Sequence, residues 1–104
     1  MKLLAVSACV AGVAHTYMAA EAIEKAAREK GHEIKVETQG ASGIENRITD
    51  EDVKAADAVI LTNDMPIRDK DRFKGKRIFN IASNDLIRFG DKVIDIVEKA
   101  VNEK

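Results

Sequence analysis

Four short apolar runs alternate along the chain with segments whose apolar residues recur at helical spacing. Each run is rich in Val, Ile, Leu or Ala, as is typical of a buried strand. The runs are LLAVSA (3–8), EIKVET (33–38), DAVILT (57–62) and RIFNIA (77–82). Strands that alternate with helices form a parallel sheet with helices on its faces. The pattern therefore predicts an α/β protein with an open, four-stranded parallel sheet.

The segment after the first run, TYMAAEAIEKAAREKG (16–31), has the clearest helical pattern. Its charged residues fall opposite a broad apolar side, and Gly31 is placed to end the helix. The apolar side comprises Met18, Ala19, Ala22, Ile23, Ala26 and Ala27.

Two further helices are predicted. Thr49 and Asp50 can cap a short helix in TDEDVKAAD, whose acidic first turn suits the helix dipole. A closing helix follows from the apolar spacing between Val93 and Val101, while Gly90 leaves its start undefined.

The length of the chain fits one domain over residues 1–104. Right-handed crossovers in a doubly wound sheet give the strand order 2-1-3-4, with the end of strand one at the point where ligands bind. TQGASGIENR (38–47) and NDMPIRDKDRFKGK (63–76) are predicted to be long loops. Connections of this length are often functional.

Charge and composition exclude several classes of protein. Seventeen basic and eighteen acidic side chains give a formal net charge of -1, which demands neither a nucleic-acid partner nor a membrane surface. A single cysteine cannot form an internal disulfide or a thiolate metal cluster, so we expect no metal, no cofactor and a reducing compartment. No stretch approaches the ~20 apolar residues of a membrane span. A soluble, cytoplasmic protein is expected.

The only cysteine, Cys9, lies in SACVAGVAHT, where the first strand gives way to a helix. The N–H groups of such a turn can surround a phosphate, and Gly12 permits positive φ and close approach of a ligand. The same field favours the thiolate form of a cysteine. A lone cysteine can also be a buried apolar filler, but this position favours a nucleophile. The predicted phosphate loop comprises Val10, Ala11, Gly12, Val13, Ala14, His15 and Thr16.

Two side chains of the predicted loop can also reach a bound anion. His15 either orients the anion or is a surface or capping histidine, and Thr16 either does the same or only caps the helix.

Three segments together resemble the enzyme IIB component of fructose-type bacterial phosphotransferase systems: C-V-A-G-V-A-H-T-Y-M-A-A-E-A, K-V-E-T-Q-G-A-S-G-I-E-N-R-I-T and A-D-A-V-I-L. The resemblance implies a phosphotransferase with a phosphocysteine intermediate at Cys9. In this family the cysteine accepts a phosphoryl group from a phosphohistidine of the IIA component. It then passes the group to a sugar, such as fructose, held by the membrane IIC component, which would keep the protein at the inner face of the membrane.

Members of the family normally read C-P-T-G at this turn, whereas Val10 and Ala11 occupy the second and third positions here. Losing the threonine hydroxyl removes a hydrogen bond worth ~1 kcal/mol. A site built from backbone N–H groups tolerates side-chain changes. We therefore expect the chemistry to survive, with effects on rate or sugar preference.

Other polar residues follow the remaining strands at the same edge. Thr38, Gln39 and Gly40 are predicted to form a rim that faces the partner proteins, with an ordinary polar loop as the alternative. Asn63 and Asp64, and Ser83 and Asn84, share the edge but belong to no motif. The basic cluster KDRFKGKR contains interspersed aspartate, which favours a solvated loop over a nucleic-acid site.

Two other functions use similar folds. A low-molecular-weight cysteine phosphatase requires C-x5-R, but His15 stands where the arginine would be, and a histidine cannot offer the planar fork that holds a phosphate. A non-catalytic flavodoxin-like module would need acidic residues after strand one, or aromatic residues beside a flavin. The sequence contains no Trp, and Ser7, Ala8 and Cys9 stand where the acidic residues would be.

Overall fold

The computed structural model describes residues 1–41 and 43–103. Ser42, within the predicted loop 38–47, and Lys104, at the end of the predicted domain, lie outside the described residues. The strands are β1 (Lys2–Ser7), β2 (Glu33–Gly40), β3 (Gly43–Glu45), β4 (Ala58–Thr62) and β5 (Ile78–Ile81). The helices are α1 (Val13–Glu29), α2 (Asp50–Ala55) and α3 (Ser83–Asn102), with a short 3-10 helix at Lys70–Phe73.

The strands form one sheet in the order β3-β2-β1-β4-β5. β1 is central and pairs in parallel with β2 and β4, and β4 pairs in parallel with β5. The predicted order 2-1-3-4 therefore matches the four parallel strands, since β4 and β5 are the third and fourth runs of the sequence. This order places the end of β1 between the ends of its two neighbours.

The prediction of a purely parallel, four-stranded sheet is wrong, because the sheet is mixed and has five strands. β3 pairs antiparallel with β2, matching Gly40 with Gly43 and Thr38 with Glu45. Much of the predicted loop 38–47 is thus a hairpin. Gly43, at φ 117°, adopts a conformation that other residues rarely take, which lets the chain reverse within a few residues.

The core is divided between the two faces of the sheet because successive strand residues point to opposite sides. On one face, Leu3 and Ala5 of β1 pack with the apolar sides of α1 and α3. On the other face, Leu4 and Val6 pack with α2 and with Phe73 of the 3-10 helix, which is fully buried. The second predicted loop, 63–76, therefore contributes to the core.

The helices agree with the sequence pattern in most respects. α1 buries four of its alanines and Ile23, whereas Met18, placed on the apolar side, is about half exposed. Thr49 caps α2, and it exchanges hydrogen bonds with Asp52 in a capping box. α3 extends beyond the predicted closing segment at its N-terminal end, with a break in helical geometry at Phe89.

No helix within residues 1–41 and 43–103 combines the length and the apolar character needed to cross a membrane.

Candidate functional site

Cys9 lies just beyond the carboxyl end of the central strand, two residues after β1 ends and four before α1 begins. Its position is fixed by the neighbouring strand. The Thr62 hydroxyl, at the end of β4, accepts a hydrogen bond from Ala8 N (3.0 Å) and lies 3.0 Å from the Ala8 carbonyl oxygen. Cys9 itself is buried, with 8% of the residue exposed, so it is shielded from most of the solvent.

The turn after Cys9 depends on Gly12. Gly12 has φ 119° and ψ 178°, and it precedes α1 as its N-cap. Its carbonyl oxygen accepts hydrogen bonds from both the backbone N–H and the hydroxyl of Thr16, each at 3.1 Å. Thr16 is buried, and its own carbonyl accepts a hydrogen bond from the Ser7 hydroxyl at 2.8 Å. Thr16 therefore fixes the turn to β1, and its hydroxyl is engaged within the turn.

The residues of the turn are exposed to solvent. Val10 is 76% exposed and the residues from Ala11 to Ala14 are also exposed. The first N–H groups of a helix lack acceptors within that helix. One N–H group of the turn points at the sulfur, since Ala11 N lies 3.4 Å from Cys9 Sγ.

The side chain closest to the sulfur is His15. Its Nδ1 lies 2.9 Å from Cys9 Sγ, and its Nε2 lies 2.9 Å from Oδ1 of Asn84, the second residue of α3. A thiol, an imidazole and an amide oxygen are thus arranged in sequence. Such an arrangement can move a proton away from the sulfur.

Asp64 and Ser83 complete the surroundings of the sulfur. Ser83 Oγ lies 3.4 Å from Cys9 Sγ and the nearer Asp64 oxygen lies 3.6 Å from it. Burial raises the pKa of the Asp64 carboxyl, but hydrogen bonds from Ser83 and Cys9 and the nearby His15 ring outweigh that effect and hold the pKa below its ordinary value. Asp64 is therefore an anion close to the sulfur at neutral pH.

The sequence indicates Asp64, Ser83 and Asn84 only as residues at the same edge. The structure places them with Cys9 and His15 in one cluster, because β4, β5 and α3 bring their adjoining segments to the carboxyl edge of the sheet. The predicted strand order was the signal that could have placed these residues near Cys9. No spacing in the sequence distinguishes these residues from other polar residues in loops.

The three residues predicted as a partner-facing rim lie at the end of β2. Thr38 and Gln39 are buried and Gly40 is partly exposed. The Gln39 amide accepts a hydrogen bond from Arg68 N (2.8 Å) and donates one to Arg68 O (3.1 Å), which ties β2 to the segment after β4. The buried side chain of Gln39 thus holds the end of β2 and the segment after β4 together.

A cavity of about 390 Å³ opens beside the cysteine. Its lining combines the turn, the end of β2 and the segment after β4, and includes exposed apolar groups and one arginine. The lining residues are Cys9, Val10, Gly12, Val13, Thr16, Gln39, Gly40, Ala41, Met65, Pro66 and Arg68. A group attached to the sulfur could extend into this space.

The sequence and the fold are similar to those of a group of known proteins. A family model described as "PTS system, Lactose/Cellobiose specific IIB subunit" matches residues 4–96. The chain is 53% identical over 97 residues to the PTS system fructose-like EIIB component 2 of Escherichia coli (strain K12), covering 93% of this chain and 92% of that protein. The solution structure of the enzyme IIB subunit of the PTS system from Escherichia coli K12 superposes with a TM-score of 0.90 at 40% identity, covering 97% and 94% of the two chains.

A longer relative contains a similar segment. The PTS system fructose-specific EIIABC component of Bacillus subtilis (strain 168) is 43% identical over 102 residues, covering 98% of this chain and 15% of that protein. The chain belongs to the IIB subunits of the phosphotransferase system, a family of sugar phosphotransfer components. Among them it is of the fructose type, as its resemblance to fructose-like EIIB components shows.

Proposed function

We propose that residues 1–104 act as a phosphoryl-carrying IIB domain in which Cys9 is the phosphoryl acceptor. The observation that carries this proposal is the position of the sulfur. Cys9 Sγ lies at the carboxyl edge of the central strand, 2.9 Å from His15 Nδ1 and 3.4 Å from Ala11 N, at the mouth of a cavity. A buried filler would need neither polar neighbours nor an opening to solvent.

In the first half-reaction, the Cys9 thiolate attacks the phosphorus of a phosphohistidine in line with the P–N bond. The S–P bond forms as the P–N bond breaks, and the electron pair of that bond stays on the donor nitrogen. Backbone N–H groups in the proposed phosphate loop, Val10 to Thr16, then face the equatorial oxygens of the phosphoryl group. The N–H groups of Gly12 and Thr16 are excepted, because they are bonded to the carbonyls of Cys9 and Gly12. Fixed N–H dipoles stabilise the charge on these oxygens without reorganising during transfer.

The partners are inferred from the fused relative. A single polypeptide named as an EIIABC component combines a segment like this chain with IIA and IIC parts. This supports a IIA component as the phosphoryl donor and a membrane IIC component, with fructose or a similar hexose, as the acceptor. Contact with IIC would hold the domain at the inner face of the membrane. Thr38, Gln39 and Gly40, at the end of β2, would form the rim of this contact, with Gly40 partly exposed and Thr38 and Gln39 buried behind it.

Phosphatase activity is the rival function. Hydrolysis in that class relies on an arginine that holds the phosphate oxygens with two parallel N–H groups. His15, which occupies the corresponding position, is bonded to Cys9 and Asn84 instead. We therefore expect the free protein to hydrolyse aryl phosphates poorly, and to transfer its phosphoryl group only when a partner is present.

Incubation with a phosphorylated IIA donor tests the proposal. Intact-mass measurement should show the gain of one phosphoryl group, and peptide mapping should place it on Cys9. Cys9→Ala should gain none and Cys9→Ser very little, because an alcohol at this place ionises far less readily than a thiol. Asn102→Ala, at the far end of α3, serves as the control. A phosphoryl group found on His15, or rapid Cys9-dependent hydrolysis of aryl phosphates, would overturn the proposal.

A further inference from the structure

His15 has a partner at each ring nitrogen. Nε2 faces Asn84 Oδ1 and Nδ1 faces Cys9 Sγ, both at 2.9 Å. An amide oxygen accepts hydrogen bonds and cannot donate them, so Nε2 carries a hydrogen. In a neutral imidazole the other nitrogen is then an acceptor, and Nδ1 points at the thiol.

We propose that Asn84 is a positioning residue that holds His15 in the Nε2–H tautomer, so that His15 Nδ1 acts as the catalytic acceptor of the Cys9 thiol proton. This inference rests on the proposed function of Cys9. The contact of Asn84 is with the imidazole, and it acts on the reaction through His15.

The proton balance follows from this geometry. The S–H bond of Cys9 breaks and its proton moves to Nδ1, leaving a thiolate beside an imidazolium. The thiolate attacks phosphorus, the P–N bond breaks, and the donor imidazole takes up one proton as His15 returns to the neutral form. When the S–P bond later breaks, the proton of the sugar hydroxyl is the one that returns to the pair of Cys9 and His15.

Asn84 carries a neutral amide, which is compatible with the negative charge already present around the sulfur. Asp64 already places a carboxylate oxygen 3.6 Å from Cys9 Sγ, and a phosphoryl group adds further negative charge. A neutral acceptor orients the histidine without a second anion. An aspartate at position 84 would hold the same tautomer but repel the phosphoryl group.

Asn84 lies on the surface at the start of α3, so substitution there leaves the core untouched. This makes Asn84→Ala and Asn84→Asp suitable variants of the full chain, with Asn102→Ala, an exposed asparagine at the other end of the same helix, as the matched control. Urea unfolding of each variant checks that the fold is retained.

The experiment combines two measurements. Nitrogen-15 NMR of the histidine rings reports the tautomer of His15, and phosphorylation by a IIA donor reports the rate. We expect the wild type to carry hydrogen on Nε2. Asn84→Ala should mix the tautomers and slow transfer about tenfold, a small part of the ~10²–10⁴-fold that proton transfer contributes to catalysis. Asn84→Asp should restore the tautomer and part of the rate, and Asn102→Ala should match the wild type.

Two results would overturn the inference: hydrogen on Nδ1 in the wild type, or an Asn84→Ala variant with unchanged tautomer and rate. A wild-type protein that gains no phosphoryl group would instead defeat the proposed function. The NMR measurement does not depend on the donor and would still decide whether Asn84 sets the tautomer.

Discussion

Asp64 accepts two hydrogen bonds from Ser83, one at Oδ1 from the backbone N–H (2.8 Å) and one at Oδ2 from the hydroxyl. The carboxylate thereby joins the segment after β4 to the first residue of α3. It also holds the Ser83 hydroxyl 3.4 Å from the Cys9 sulfur. The geometry around the thiol thus depends on a residue that lies 55 positions from Cys9 in the sequence.

Replacing Asp64 with Asn should destabilise the protein in a pH-dependent way. The folded-state pKa of Asp64 lies below its ordinary value, so its ionised form stabilises the fold at neutral pH. That stabilisation, about 1.5–3 kcal/mol for a hydrogen bond to a charged group, is lost as the pH falls through the lowered pKa. In urea unfolding, the gap between wild type and Asp64→Asn should begin to narrow as the pH falls below the ordinary aspartate pKa of ~3.9. A gap of constant size would show that the charge is not responsible.

Gly12→Ala should strain the cysteine turn. A Cβ at Gly12 would meet no atom within 4 Å, so the effect would come from its φ of 119° and not from a clash. Holding a non-glycine residue in such a conformation costs about 1–3 kcal/mol. The melting temperature and the rate of phosphoryl transfer should both fall. Gly40→Ala, which has equal space and no positive φ, is the control for stability. Equal melting temperatures for the two variants would contradict this account.

Arg72→Met should be severely destabilising because it leaves a buried carboxylate without its cation. Glu37 is 0% exposed, and Arg72 binds both of its oxygens, at 2.8 and 2.6 Å. Burial raises the pKa of Glu37, but the hydrogen bonds from Arg72, Gln39 and the Ile48 N–H outweigh it, so the group stays ionised. Breaking such a pair costs about 3–5 kcal/mol.

The matched control is Arg47→Met, which breaks an exposed pair with Asp69 at 2.7 Å. An exposed pair contributes about 0–1 kcal/mol. Urea unfolding of the two arginine variants separates the cases. Similar losses in both would mean that burial of Glu37 does not determine the cost.

Gly90→Ala should weaken the contact between α1 and α3. A Cβ at Gly90 would lie 3.3 Å from both the Ala22 carbonyl oxygen and the Ala26 Cβ. Overpacking costs about 1–3 kcal/mol, whereas the better helix propensity of alanine returns at most about 1 kcal/mol. We expect a net loss in urea unfolding. A stabilised variant would show that the two helices can separate slightly without cost.

The parallel strands and their order could be predicted because each is a separate apolar run, and because crossovers follow a fixed hand. β3 could not be predicted, since three residues are too few to show a period and its pairing depends on the turn at Gly43. The buried ion pair of Glu37 could not be predicted from the sequence either. It lies in a strand where a charged residue suggests an exposed face, and its partner Arg72 comes 35 residues later in a segment predicted to be a loop.

The candidate site could be predicted only in part from the sequence. Cys9 and His15 belong to one turn, so local sequence revealed both. Asn84 is 69 residues from His15, and only the register of the sheet brings the two together. Distant polar partners of this kind leave no periodic signal in a single sequence.

The two faces of the sheet are stabilised by different interactions, so we expect them to open locally at different free energies. Long helices with apolar contacts cover one face, whereas the other has the short α2, the 3-10 helix with Phe73, and the ion pair of Glu37 and Arg72. Native proteins open in units, and those with fewer apolar contacts open at lower free energy. Amide hydrogens around the 3-10 helix should therefore exchange before those of α1 and β1. The 3-10 helix would then detach and reattach while the cysteine turn stays folded.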